Sequence, residues 1–236
     1  MHAAPAARTR RLRPLLRRWH LWLGWLVALP LLLWTASGLF MAAVPIERVR
    51  GEHLVRPAPP LALPFRPVPP DLTGLPAQAV SLEQRPGGPE WIVRLPAGRA
   101  LRADPRTGTY LPPLDAAAVR AIVAQRYAGQ APVVALTRLS AEAAPLELRR
   151  PVASWQVQFA DGARFYLDAG SGDILARRTQ LWRVYDVLWG LHILDPFGRE
   201  NFNTPWLVIA AALSLLSVLL AVLLLPGSSR RGGAAR

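Results

Sequence analysis

Apolar residues run without an acidic or basic side chain through Leu21–Val44 and again through Pro205–Pro226. A helix rising about 1.5 Å per residue needs about 20 apolar residues to cross the hydrocarbon core of a bilayer. Both runs reach that length, so residues 20–44 and 205–226 are predicted to be membrane-spanning helices. Between them the pattern changes. Trp155, Val157 and Phe159 alternate with Gln156 and Gln158, the period of a strand with one buried face. Asp161-Gly162 predicts a two-residue hairpin turn. The chain returns through Ala163, Phe165 and Leu167, and Gly170-Ser171-Gly172 turns it again toward Ile174 and Leu175.

The same arrangement occurs earlier at a constant spacing. Trp91 matches Trp155, Val93 matches Val157, Asp104 matches Asp168, Gly108 matches Gly172, and Leu111 matches Leu175. Pro96-Ala97-Gly98 and Asp104-Pro105-Arg106-Thr107-Gly108 supply the turns of this first copy. Between the copies, Asp115 to Gly129 predicts a helix. Asp115 is its N-cap, Gly129 its stop, and Val119, Ile122, Val123 and Tyr127 form its apolar face. Strand pairs plus one helix predict an α+β domain over residues 76–179, an antiparallel sheet with the helix packed across one face. Residues 45–75 are crowded with prolines, including Pro57, Pro59, Pro60, Pro64, Pro67, Pro69 and Pro70. That stretch reads as an extended, semi-rigid linker. Residues 180–204 read as an amphipathic interfacial helix and loop, with Trp182, Tyr185 and Trp189 in the run Leu181–Leu194.

Charge sets the expected orientation. Arg8, Arg10, Arg11, Arg13, Arg17 and Arg18 crowd the tail 1–19, and Arg230, Arg231 and Arg236 the tail 227–236. Basic residues in short flanks stay cytoplasmic. Both termini are therefore expected inside a bacterial inner membrane and the central domain in the periplasm. Trp19, Trp22, Trp25 and Trp206 sit at span edges, the depth tryptophan prefers. The first span is too long for a signal-peptide core and reads as an anchor. The net charge of +13 comes from arginine without any lysine. Its match is the bilayer's anionic headgroups, not nucleic acid, since no recognition motif accompanies it. The absence of cysteine excludes disulfides, thiolate metal sites and cysteine nucleophiles. No G-x-S-x-G, H-E-x-x-H or phosphate-binding glycine loop occurs.

The stretch Trp155-Gln156-Val157, Asp161-Gly162, Phe165-Tyr166-Leu167-Asp168 and Gly172-Asp173-Ile174-Leu175 resembles the PepSY domain signature. Arg18-Trp19-His20-Leu21-Trp22-Leu23-Gly24 resembles the R-x-H-x-W-L-G opening of PepSY-associated transmembrane proteins. Gly190-Leu191-His192 with Gly198-Arg199 resembles the motif before a later span of that family. The resemblance implies PepSY-like duplicated hairpins between two transmembrane helices. It also implies one of two roles. Soluble PepSY modules are associated with peptidase inhibition or regulation, which implies a periplasmic protein or peptide partner, taken up by strand addition at a sheet edge. Larger four-span relatives include haem-containing reductases of iron–siderophore complexes, which implies haem b held by histidine.

Three histidines lie at the expected membrane edges: His20 inside, His53 and His192 outside. Imidazole is a common axial ligand of haem iron. From His20 to Val44 a helix rises about 36 Å, so His20 cannot share an iron with His53 or His192. An outer haem would use His192 with His53; an inner one would need His20 from two copies, hence a homodimer. Thr35, Ser37 and Gly38 in the first span read as a close-packing patch between helices.

Overall fold

The computed structural model describes residues 6–225, with side chains from Arg13 onward. Arg8, Arg10 and Arg11 of the basic N-terminal tail, and Arg230, Arg231 and Arg236 in the tail 227–236, lie outside the described side chains. The chain divides into two compact units, a helical one (Met1–Ala43 with Tyr185–Arg236) and a sheet module (Val44–Val184).

In the helical unit, α1 (Ala6–Ala43) lies beside α5 (Pro205–Leu224). The segments Arg13–Ala43 and Pro205–Leu224 are long and apolar enough to cross a membrane. A core helix of a water-soluble protein would hide such a surface. Here only 11% of the most apolar window of each helix is buried. Trp25, Leu29, Leu32 and Leu39 on α1 and Trp206, Leu215 and Leu223 on α5 face outward. That much exposed apolar surface supports a membrane protein. Small and polar residues line the contact instead: Ser37, Ala210, Ser214 and Ser217 are buried, as expected where helices approach closely in lipid. Thr204 caps α5, its Oγ1 accepting from the Leu207 N–H (3.3 Å), with Pro205 in the first turn, where a missing N–H costs nothing.

The module is α+β, but it holds two antiparallel sheets where one was expected. The first has the order β1-β2-β3 (Ala79–Arg85, Gly88–Arg94, Ala100–Ala103). The second has the order β4-β5-β6-β7 (Val133–Leu139, Ser154–Phe159, Arg164–Asp168, Ile174–Arg178). The repeat is geometric as well as sequential. Asp104 directly follows β3 and Asp168 ends β6, and the N–H groups of Gly108 (2.7 Å) and Gly172 (2.9 Å) donate to their carbonyls. Their Oδ1 atoms accept from the N–H two residues on, at Arg106 (2.8 Å) and Gly170 (2.9 Å). Gly108 and Gly172 both adopt left-handed φ, +75° and +77°, which explains glycine at both. The bridge Ala103–Tyr110 in one copy corresponds to the pair Leu167–Ile174 in the other.

Helix α3 (Ala116–Arg126) begins as its sequence predicts, the Asp115 side chain accepting from the Ala118 N–H at 2.8 Å. It ends at Arg126, before the expected stop at Gly129, because Tyr127 turns into an extended conformation and bridges Val55. Val119, Ile122 and Val123 face Val157, Phe159, Phe165 and Leu167 of the second sheet, all buried. Tyr127 stacks on Phe159 (4.1 Å between centroids), and Phe165 meets both rings edge-on. Burying each such side chain contributes about 1.5–3 kcal/mol. The β5–β6 loop is three residues, Ala160-Asp161-Gly162, not two. The Gly162 N–H closes a turn on the Phe159 carbonyl (3.0 Å) and the Phe159 N–H bonds Ala163 (2.9 Å), the three-residue hairpin that needs a left-handed residue last. Gly162 supplies it at φ +80°.

The other face of the second sheet is covered by residues 140–152, where Leu148 and Val152 meet Tyr166 and Ala176. Glu147 accepts from Arg183 (2.9 Å), Arg164 (3.3 Å) and the Tyr166 hydroxyl (3.1 Å). The two sheets are joined at Asp173, which takes Arg85 (2.7 Å) and Arg94 (2.9 Å) of the first sheet on separate oxygens.

Residues 45–75 are not a free linker. Ile46–Val49 forms a short helix, α2, with Val49 buried, and Glu52–Leu54 a 3-10 turn. The Arg56 N–H bonds the Arg126 carbonyl (2.7 Å) and the Ala128 N–H the Leu54 carbonyl (2.9 Å). Farther on, the Val68 N–H bonds Pro105 (2.8 Å), Trp91 Nε1 donates to Val68 (2.7 Å), and the Tyr110 hydroxyl donates to Asp71 (2.7 Å). Proline excludes regular helix and ladder pairing, but it does not exclude docking through the remaining N–H and C=O groups. The segment is a strap on the first sheet.

Gly170 allows the β2–β3 turn to approach the second sheet, since a Cβ there would stand 2.0 Å from the fixed carbonyl oxygen of Ala100. Gly170→Ala is expected to cost roughly 2 kcal/mol or more, read as a lowered chemical-denaturation midpoint by tryptophan fluorescence. Burial pushes the Asp173 carboxyl up, but Arg85 and Arg94 outweigh it and hold it below its ordinary value. Burial likewise pushes Glu147 up, and Arg183, Tyr166 and Arg164 hold it low. A carboxylate with a lowered folded pKa stabilises above its unfolded pKa and loses that contribution as pH falls through the folded one. Thermal midpoints should therefore drop as pH falls below about 4, and Asp173→Asn should flatten that part of the profile.

Candidate functional site

His192 is the last residue of α4 (Gln180–His192), and the helical unit holds it on several sides. Its Nδ1 lies 2.9 Å from Ser37 Oγ on α1. Trp34 Nε1 donates to its carbonyl, and its ring lies 6.3 Å from Trp34 and 6.4 Å from Trp189, nearly parallel to the latter. Gly38 keeps the adjoining surface of α1 low, with His192 Cε1 3.5 Å from where a Cβ would stand. Of the expected packing patch, Ser37 and Gly38 are thus where α4 docks, whereas Thr35 is exposed and bonds back to the Leu31 carbonyl of its own helix.

The hydrogen bonds of Ser37 favour one tautomer of the imidazole. Ser37 Oγ is 2.6 Å from the Leu33 carbonyl, which accepts its only proton, so Oγ must accept from His192 Nδ1–H. His20 follows the same rule: its Nδ1 lies 3.1 Å from the Ser217 carbonyl on α5, an acceptor only. With Nδ1–H tied to an oxygen, Nε2 is the nitrogen that either residue would offer to a metal.

The loop after α4 is built to hold this end of the helix. Asp195 accepts from the N–H groups of Gly198, Glu200 and Asn201, each at 3.1 Å. The Asn201 and Glu200 bonds hold its carboxyl below the ordinary value. Arg199 forms an ion pair with buried Asp186 at 2.7 Å, and its carbonyl accepts from Trp189 Nε1 at 3.2 Å. Leu194 and Arg199 take left-handed φ, +51° and +59°, a strain of the kind that surrounding bonds must over-determine.

His20 and His192 do not come together, because His20 and Ser37 are separated by about 25 Å along α1. His53 belongs to the module, exposed in its 3-10 turn. The described residues hold no cluster of three or more His, Asp or Glu that would bind a metal ion. Fitted against haem, His192 offers one tethered axial nitrogen between two indoles, and among the described residues the helical unit brings no second histidine to it. Sequence reasoning missed Ser37, Trp34, Asp186 and Arg199 as partners of this site. A serine in an apolar span was the available signal, since an unsatisfied hydroxyl in lipid is costly.

In the module, the informative feature is the edge of the first sheet. Strand β1 pairs only with β2, in unbroken register from Ala79–Arg94 to Arg85–Gly88. No other backbone among the described residues bonds its outer side. Two of the other edges, those of β3 and β4, are blunted. Residues 109–111 cover β3 through the Leu111 N–H to Arg102 bond (2.8 Å) and the Ala103–Tyr110 bridge. Strand β4 carries a register break between Val133 and Ala135 and an exposed Arg138, both devices that discourage pairing.

No protein-family model, curated protein or solved structure matches the chain.

Ser37→Ala removes the acceptor of His192 Nδ1–H. Nitrogen NMR of histidine-labelled protein is expected to show one tautomer for His192 in the parent and a tautomer mixture in the variant, with a stability loss of about 1 kcal/mol.

Proposed function

We propose that this chain is a two-span bacterial inner-membrane protein with cytoplasmic termini, whose PepSY-like periplasmic module binds or regulates an envelope partner. The observation that carries the reading is the open edge of β1, seven residues long, regular in register and free of proline. An extended segment of another protein gains a full ladder of main-chain bonds by lying along it. The outward apolar faces of α1 and α5 support the anchors. The contribution of Ser37 and Trp34 to the seat of His192 supports an α1 that is retained and not cleaved. The PepSY-like signature from Trp155 to Leu175 supports the class of partner, and the duplicated Asp-to-Gly turns agree with it.

A second reading is favoured by one observation, the tethering of His192 and His20 through Nδ1. It makes the chain a haem b electron-transfer component, with His192 as an axial ligand and a homodimer supplying a His20 pair. Bound haem would supply one-electron chemistry. Ser37 would orient the imidazole, while Trp34 and Trp189 would wall the ring from water.

Crosslinking in cells followed by capture of the full chain tests the first reading. Deletion of residues 76–179 should abolish the crosslinked partner. Val80→Lys, which sets a charge on the open edge, should reduce capture roughly tenfold; unchanged capture in both refutes the reading. A Soret band after haem-replete expression that disappears in His192→Ala would establish the second.

A further inference from the structure

Two clefts of the module, about 400 and 460 Å³, share Gly98, Arg99, Ala100 and Asp168 in their walls. They form one groove around the β2–β3 turn. Arg94 and Arg150 line one end, Arg138 the other, and Arg99 stands between them. Leu95, Leu101, Val152 and Leu175 add apolar wall.

The charges in this groove do not cancel. Asp173 is already bonded by Arg85 and Arg94. Asp168 is buried, and its Oδ1 accepts from the N–H groups of Gly170 (2.9 Å) and Ser171 (2.6 Å). Arg99, Arg138 and Arg150 are exposed and have no ion pair among the described residues. Three unmatched guanidinium groups therefore rim an apolar-walled channel in which both carboxylates are spoken for. Guanidinium prefers planar carboxylates, which it binds through two parallel bonds. A row of such groups spread along a groove suits a row of carboxylates better than one small anion.

We propose that this groove binds an extended acidic segment of a partner protein, with Arg99, Arg138 and Arg150 as its carboxylate contacts. The inference rests on the partner-binding reading and adds the chemistry of what is bound. Gln78, the residue before β1, lines the Arg94 end, so the groove starts where the open edge starts. Apolar contacts along the wall hold the backbone, and the arginines select the side chains.

The test uses the full chain in a neutral detergent and a fluorescein-labelled peptide of alternating Glu and Ala, followed by anisotropy. The Glu peptide should bind with an affinity that falls as salt rises, and a Lys/Ala peptide should not bind. The triple variant Arg99→Glu, Arg138→Glu, Arg150→Glu should weaken binding at least roughly tenfold. The triple Gln variant, which keeps side-chain length and removes only charge, should weaken it in the same direction. Arg120→Glu, on the exposed side of α3, should leave it unchanged. Failure of the parent to bind the Glu peptide overturns the proposal, as does parent-like binding by both triple variants or an equal loss in Arg120→Glu. Phosphatidylglycerol vesicles that bind through these arginines while the Glu peptide does not would assign the groove to lipid and also overturn it. The two proposals fail differently. If partner capture depends on Val80 and the module while the triple variants keep peptide binding, the groove is wrong and the partner reading stands. If the groove binds peptide while capture survives deletion of the module, the partner reading is wrong.

Discussion

The sheet module hangs on one aromatic contact, the meeting of Tyr127 with Phe159 and Phe165 where α3 ends. The three rings join the helix to the second sheet, and the same Tyr127 leaves the helix to bridge Val55. One residue thus ties three parts of the chain that are distant in sequence. The strap that follows Val55 then lies over the first sheet, and Gly172 sits under Ile122 and Leu114 with no room for a side chain.

The helical unit obeys a different constraint. In lipid the apolar faces of α1 and α5 gain little by meeting each other, so specific pairing must come from small residues and satisfied polar groups. His20 with the Ser217 carbonyl, and His192 with Ser37, place such groups at two levels of α1. Each fixes an imidazole by the same nitrogen and leaves the same one free. That common pattern suits a structural clamp and a ligand equally, which is why a tautomer measurement and a spectrum separate the two roles better than stability does.

Local patterns in the chain were readable where local chemistry decides the outcome. The alternation Trp155, Val157, Phe159 set β5 and its buried face, Asp115 set the start of α3, and the spacing of Asp104 with Gly108 and Asp168 with Gly172 marked two equivalent turns. Non-local choices were not readable. Nothing between Pro57 and Asp71 signals that Trp91 and Tyr110 will hydrogen-bond its carbonyls, so a docked strap reads as a linker. A duplicated hairpin unit is equally compatible with one sheet or two, and the choice depends on Asp173 receiving arginines from both strands of the other copy. The histidines were visible as candidates, but their partners Ser37 and Trp34 lie more than a hundred residues away. No local period connects them.

The proline strap has a consequence for how this chain behaves in company. An exposed face or edge of a sheet is a template on which further copies of a protein stack into fibrils. The covering segment here lacks N–H donors at Pro64, Pro67, Pro69 and Pro70, so it shields the first sheet without becoming a strand that another copy could extend. The β1 edge, paired only with β2, stays uncovered beside it. Stacking of copies through the strapped face is thereby disfavoured, and pairing between copies is left to uncovered edges such as β1.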